Sequence, residues 1–405
     1  MSGIRLGVVG YGGRISGLIQ GVFRELAADL QVTGIVDPDE AGVRSRIDSA
    51  APGRGWAKAG GGIADDVTFY RDIDQMVKQG PLDALAIGTR CNLHTPLAIR
   101  AAQYDLPLFL EKPVAVDMRQ ARALEAAFDG SQCRAVVSFP LRVSPLCELA
   151  RQYIDEGAVG DPVHVAATNY VPYGTTYWEA AYRDYDVTHG LFLQKATHDF
   201  DYLMYLMGQP IVRVAATATR GHVYGGDKPS GHRCSICDEV ADCLESPQNR
   251  RRNSSGGTTR DHLCLFSVDC GEGHRLNEDA SSAVLEFADG SQGVYTQVFY
   301  ARRDAGTRGA NVSGYLGSVA FDWYTDELKR VRHHAPFSAV EKASGGASHF
   351  GGDLELARDF IALVDHGADS RTPIETGLQS VYACLAAKES AEKSRFVNVR
   401  LVGQN

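Results

Sequence analysis

The sequence predicts an α/β protein of two domains: a parallel sheet covered on both faces by helices, then a second α/β domain built on a mainly antiparallel sheet. Three observations carry this. Up to about residue 116, short continuous apolar runs alternate with stretches of helical period, the signature of a sheet buried on both faces. Further on, strand-like segments follow one another without a helix between each pair. At 405 residues the chain is also too long for a single core to be the default.

Taken in order, "IRLGVVG", "QVTGIVD", "DALAIGT" and "LPLFLEK" read as the first strands. Between the first two, Ile15, Leu18, Ile19, Val22, Phe23 and Leu26 recur on one helical face. "RAVVSFP" at 134–140 continues the series. The antiparallel part comprises "PVHVAATNY", "VRVAATAT", "SSAVLEFADG", "SQGVYTQVFYA" and "GSVAFDW", with a hairpin turn at Asp289-Gly290. A late helix presents Leu378, Val381, Tyr382 and Leu385 together, and the tract from about 221 to 275 is loop-like. The expected division is 1–124 and 125–405, with that tract as a cysteine-rich insertion.

Composition narrows the function. With 44% hydrophobic and 22% charged residues, the chain is ordinary for a globular protein. No apolar run approaches the ~18 residues of a membrane span, and the N-terminus reads as a strand rather than a signal peptide, so a cytoplasmic location and no membrane partner are expected. A net charge of −9 argues against nucleic acid as a partner. The nine cysteines are too uneven for a disulfide framework, but five of them fall between Cys234 and Cys270, which points to a metal.

"GVVGYGGRI" runs from the first strand into the first helix, the context a dinucleotide fingerprint needs. Gly10 permits the tight turn, while Gly12 lets backbone amides approach a pyrophosphate; Gly13, Arg14 and Ile15 complete the stretch, with Ile15 where a third glycine is usual. Asp37, at the end of the second strand, is placed to accept hydrogen bonds from the adenosine ribose and to repel a 2'-phosphate. NAD is therefore expected over NADP.

One apolar strand ends in Glu111-Lys112-Pro113, a charged pair that is costly to desolvate unless it is used. With the glycine turn and Asp37 ahead of it, the chain resembles the glucose-fructose oxidoreductase, inositol dehydrogenase and rhizopine-catabolism oxidoreductases, the Gfo/Idh/MocA family. "AIGTRCNLHTPLAIRAA", with Thr89 and His94, is similar to a cofactor-side segment of that family; "LQKATHDFDYLMYLMG", with His198, Asp201 and Gly208, is similar to its histidine helix; "HFGGD" at 349–353 resembles a further segment. The resemblance covers nearly the whole chain. It implies a Rossmann domain followed by an α/β domain whose open, mainly antiparallel sheet often mediates oligomerisation, hence a homo-oligomer, a dimer or tetramer. It implies that Lys112 lies beside nicotinamide and substrate, that Glu111 contacts the cofactor or orients the lysine, and that His198 exchanges the proton.

The chain departs from the family pattern at Gln194, where an aspartate is common four residues before the histidine; Lys195 is then a competing catalytic group. Tyr170, Tyr173, Tyr182, Arg183, Gln194 and His349 are the substrate-side candidates, with aromatic faces and donors suited to a sugar or cyclitol ring. Cys234, Cys237 and Cys243, with Cys264 later, have spacing compatible with a structural zinc site. The expected function is NAD-dependent oxidoreduction of a sugar, sugar derivative or cyclitol. Redox-neutral glycoside cleavage with retained NAD, and a non-catalytic NAD-binding sensor, are the alternatives.

Overall fold

The computed structural model describes residues 3–48, 63–270, 276–343 and 348–404. The chain forms two compact units, Met1–Pro145 with Gly345–Val381, and Leu146–Ser344 with Tyr382–Asn405. These units differ from a division after residue 124, because the strand at 135–137 and a late helix pack with the first sheet.

In the first unit, β1 (Arg5–Val9), β2 (Gln31–Val36), β3 (Ile63–Phe69), β4 (Ala84–Ile87), β5 (Leu108–Leu110) and β6 (Ala135–Val137) form one sheet in the order β3-β2-β1-β4-β5-β6. Every pairing in it is parallel. All residues of β4, β5 and β6 are buried, as a doubly covered sheet requires. The helix expected after β1 forms over Gly13–Leu18 and continues through a π segment, Ile19–Phe23. Asp72 and Asp117 cap the helices Ile73–Gln79 and Met118–Phe128 by accepting the amides of Gln75 and Gln120. The helix Gly352–His366 brings Leu356, Ala357, Phe360 and Leu363 into this core. There the Phe360 ring lies 5.5 Å from Phe23 and 5.6 Å from Phe109. The side on which successive strands are added switches between β1 and β4, and the crevice outside their carboxyl ends is where such sheets bind ligands.

The second unit holds β7 (Pro162–Tyr170), β8 (Ile211–Thr219), β9 (Ala280–Phe287), β10 (Gln292–Val298), β11 (Thr307–Gly314), β12 (Gly317–Asp322), β13 (Glu327–Arg332), β14 (Ser338–Glu341) and β15 (Val397–Asn398). They pair in the order β14-β13-β12-β11-β7-β10-β9-β8-β15, and only β7 with β10 is parallel. Burial alternates along β9, β10 and β12, so one face is packed and the other open. The helix Ala196–Met207 packs on the covered face, with Phe200 against Tyr295 at 5.3 Å and Tyr202 against Trp323 at 5.0 Å. Asp289-Gly290 makes the expected hairpin: Gly290 has φ +87° and Phe287 N–H donates to Ser291 O at 2.9 Å. The 221–270 part of the tract expected to be a loop contains the helix Pro247–Asn253 and short bridges; residues 271–275 lie outside the described residues.

Candidate active site

The glycine turn leaves β1 at the switch point. Gly10 has φ +80° and donates to Val36 O at 2.8 Å; a Cβ there would lie 2.6 Å from Thr89 Cγ2. Only glycine satisfies both demands. A Cβ on Gly12 would meet only Gly88 O at 3.8 Å, and one on Gly13 would meet nothing within 4 Å. That open space over the turn is what a pyrophosphate needs in order to reach backbone amides. Ile15, in place of the third glycine, is accommodated from the opposite side: a Cβ on Gly88, just after β4, would fall 2.7 Å from Ile15 Cβ. The close approach is kept, with the glycine moved from helix to strand end. Asp37 accepts Tyr11 N–H at 2.9 Å through one carboxylate oxygen and Asp39 N–H at 2.9 Å through the other. The carboxylate is thereby fixed beside the turn, and the residues of this crevice fit a dinucleotide.

At the carboxyl end of β5, Glu111 is buried and accepts Arg14 Nε at 3.1 Å and Ser138 Oγ at 3.0 Å. Arg14 also grips Asp353 with two bonds, of 2.7 and 2.6 Å. Burial disfavours both charges, but the pairing outweighs it: Arg14 is raised and Asp353 held well below the carboxylate range. Asp353 further accepts from His349 Nδ1 at 3.0 Å and from Ser348 Oγ. Arg14 and His349, expected to touch cofactor and substrate, are thus both engaged by Asp353. His94 is buried with Nδ1 2.8 Å from Pro113 O and Nε2 3.1 Å from Thr89 O, so it ties together the backbones of the two turns. Burial lowers its pKa despite those carbonyls. Lys112 is half-buried and precedes a cis peptide bond to Pro113.

In the second unit, Gln194 ends a short helix, Leu191–Gln194, and Lys195 is the joint before Ala196–Met207. The helical turn expected to place residue 194 beside His198 is therefore interrupted. Gln194, Lys195 and His198 are all buried. Lys195 Nζ donates to Tyr173 Oη at 2.7 Å. Asp199 is the centre of a network absent from the sequence expectations. One of its oxygens accepts Arg308 Nε at 2.9 Å and Nη2 at 2.7 Å; the other accepts Asn169 Nδ2 and Tyr295 Oη, each at 2.8 Å. Such saturation is what a buried carboxylate requires. Arg308 lies on β11, a strand that the apolar pattern did not reveal.

Residues 4–139 match the family model described as the oxidoreductase family, NAD-binding Rossmann fold, and residues 147–320 match the GFO/IDH/MocA C-terminal domain. The chain belongs to the Gfo/Idh/MocA oxidoreductase family. It is 31% identical over 149 residues to inositol 2-dehydrogenase of Rhizobium meliloti, a match spanning 36% of this chain and 43% of that protein. It is 23% identical over 371 residues to inositol 2-dehydrogenase 4 of Saccharopolyspora erythraea, covering 87% of this chain and 96% of the relative. Among solved structures, levoglucosan dehydrogenase in complex with NADH and levoglucosan superposes with a TM-score of 0.71 at 18% identity, over 99% of this chain and 100% of that one.

Within this Gfo/Idh/MocA chain the remaining candidates divide. Tyr170 is half-buried at the end of β7, and Tyr173 is exposed. Arg183 instead supports the cysteine tract: it donates to Ser267 Oγ at 2.7 Å, Asp269 at 2.9 Å and Cys264 O at 3.3 Å. The expected zinc site is not supported. Among the described residues no group of three or more His, Cys, Asp or Glu is arranged to hold a metal ion. Cys234, Cys237, Cys243 and Cys264 are free thiols. Cys234 Sγ lies 3.5 Å from His262 Nε2, while Cys264 Sγ accepts Phe266 N–H at 3.4 Å. Arg250, fully buried, holds the tract by pairing with Glu179 and Glu245.

Proposed function

We propose that the protein uses NAD to oxidise a carbinol of a sugar, sugar derivative or cyclitol. The observation that carries this reading is the carboxyl end of β5: Glu111 is bonded through Arg14 to the start of the glycine-turn helix, and Lys112 follows it directly. The printed activities of relatives, inositol dehydrogenases and a levoglucosan dehydrogenase, agree with that substrate class. When bound, NAD supplies a hydride acceptor at C4 of the nicotinamide. Gly10 makes the tight turn, Gly12 and Gly13 leave room for the pyrophosphate, and Asp37 takes the ribose hydroxyls and disfavours a 2'-phosphate. Lys112 stabilises charge on the reacting oxygen, Glu111 orients that segment, and His198 exchanges the proton, with Lys195 its competitor for that role. Tyr170, Tyr173 and Gln194 contact the substrate. A second copy of the chain covers the open face of the large sheet, where Val163, Val284 and Val294 are exposed.

The test is a panel of cyclitols, anhydrosugars and aldoses incubated with NAD and followed at the NADH absorbance. At least one class should yield NADH. Lys112→Ala should lower kcat about 10²- to 10³-fold, the scale of removing one charge-stabilising donor. Full turnover in that variant, or product without NADH, would count against the reading.

A further inference from the structure

Arg14, Glu111, Ser138 and Asp353 all belong to the first unit, and the hydrogen bonds among them are divided unevenly. Glu111 is 7% exposed, yet Arg14 Nε and Ser138 Oγ both donate to the same oxygen, Oε1, at 3.1 and 3.0 Å. Among the described residues its Oε2 accepts no hydrogen bond. A carboxylate so nearly enclosed normally has both oxygens satisfied, as those of Asp353 are. The open acceptor stands at the carboxyl end of β5, beside Lys112 and one hydrogen bond from the helix that opens at the glycine turn.

Arg14 is the group that could close it. A guanidinium carries five N–H donors, and its Nε–Nη2 edge can take both oxygens of one carboxylate. Here that edge is split: Asp353 holds Nη2 at 2.6 Å and Nη1 at 2.7 Å, and only Nε reaches Glu111. Among the described residues these are the only hydrogen bonds of the Arg14 side chain, which remains 32% exposed, so Asp353 alone keeps its far end off Glu111. Asp353 is in turn delivered by a strained turn. His349, Phe350 and Gly351 have φ of +43°, +55° and +87°, a left-handed run in which two of the three residues carry a Cβ. A Cβ on Gly352 would lie 1.8 Å from Pro140 O, so the turn is pressed against the segment that supplies Ser138. Such strain persists only where the surroundings impose it, and here it sets the place of Asp353.

We propose that Asp353 is a positioning residue of the cofactor site: it confines Arg14 to one oxygen of Glu111 and so keeps the other available to accept a hydrogen bond from the nicotinamide half of NAD. The proposal rests on the reading of this crevice as an NAD site. Without the Asp353 carboxylate, Arg14 turns its Nε–Nη2 edge onto Glu111 and occupies both oxygens. The loss then falls on Glu111, to which Asp353 makes no hydrogen bond of its own.

The test needs no substrate. The full chain is titrated by calorimetry with NAD and with ADP, which has the adenosine half alone. Asp353→Asn should weaken NAD about 10- to 10²-fold, the scale of one hydrogen bond to a charged acceptor, and leave ADP unchanged. Adding Arg14→Met to Asp353→Asn removes the competing donors and should restore most of the NAD affinity. An ion pair that only braced the fold would show no such recovery, because losing its second member would leave the defect or deepen it. A folded Asp353→Asn protein that binds NAD as the wild type does, that loses ADP equally, or that Arg14→Met does not rescue overturns the proposal. Should Asp353→Asn alone not fold, Glu111→Gln and the double variant decide. Glu111→Gln keeps an oxygen for Arg14 but replaces the open acceptor with a donor, so it should weaken NAD and spare ADP, while the double variant binds NAD nearly as the wild type does. Wild-type NAD affinity in Glu111→Gln, or a folded double variant that has lost NAD, overturns the proposal and leaves the NAD reading standing. A wild type that binds no NAD defeats that reading, and the proposal with it.

Discussion

Asp37 accepts two backbone amides in the structure, one from the glycine turn and one from Asp39, so its charge is held in place before any ligand arrives. Asp37→Ala should narrow the preference for NAD over NADP by about tenfold, roughly the 1.4 kcal/mol that such a factor represents; calorimetry with both nucleotides checks it. Asp199 tests a different energy. Its pairing with Arg308 is buried on both sides, and Asp199→Asn should cost about 3–5 kcal/mol in denaturant unfolding because it strands a buried guanidinium. Asp37 was legible in the sequence because a strand end at a set distance from a glycine turn is a local pattern. Asp199 was not, since it lies on a helix and its partners Asn169, Tyr295 and Arg308 arrive on three separate strands.

Between elements, the glycine turn explains why an incomplete motif still forms a tight strand–helix contact. Gly88→Ala should destabilise the first unit by about 1–3 kcal/mol, as overpacking does, and Ile15→Ala in the same chain should recover much of it. Thermal unfolding of the two single variants and the double variant measures that coupling. The compensation crosses from one βα unit to another, which is why reading one segment at a time left Ile15 unexplained. The helix Gly352–His366 poses the same problem: nothing in its own segment shows its attachment to the first sheet. Asp353 on that helix is held below its ordinary 3.8, so its contribution to stability is complete above that value and is lost as pH falls below it. Asp353→Asn should therefore lower stability at neutral pH and flatten the acid limb of the stability profile, as read by unfolding at a series of pH values.

Across the whole molecule, the alternation of apolar strands and helices made the parallel sheet readable, and the run of strands after it announced the mainly antiparallel one. The short strands β13, β14 and β15 carry too few apolar residues to be read from pattern, and their places come from pairing with neighbours. The cysteine spacing misled because a C-x-x-C pair constrains two thiols only, and the tract is held by Arg250 and Arg183. Among the described residues no helix is long and apolar enough to cross a membrane. The central claim is that a carbinol hydride passes directly to NAD. Its most direct test uses a substrate deuterated at the reacting carbon, with the nicotinamide product analysed by mass spectrometry. One deuterium in each NADH, formed one for one with the carbonyl product, is the predicted result; product formed with deuterium retained or exchanged into water, and no labelled NADH, would contradict it.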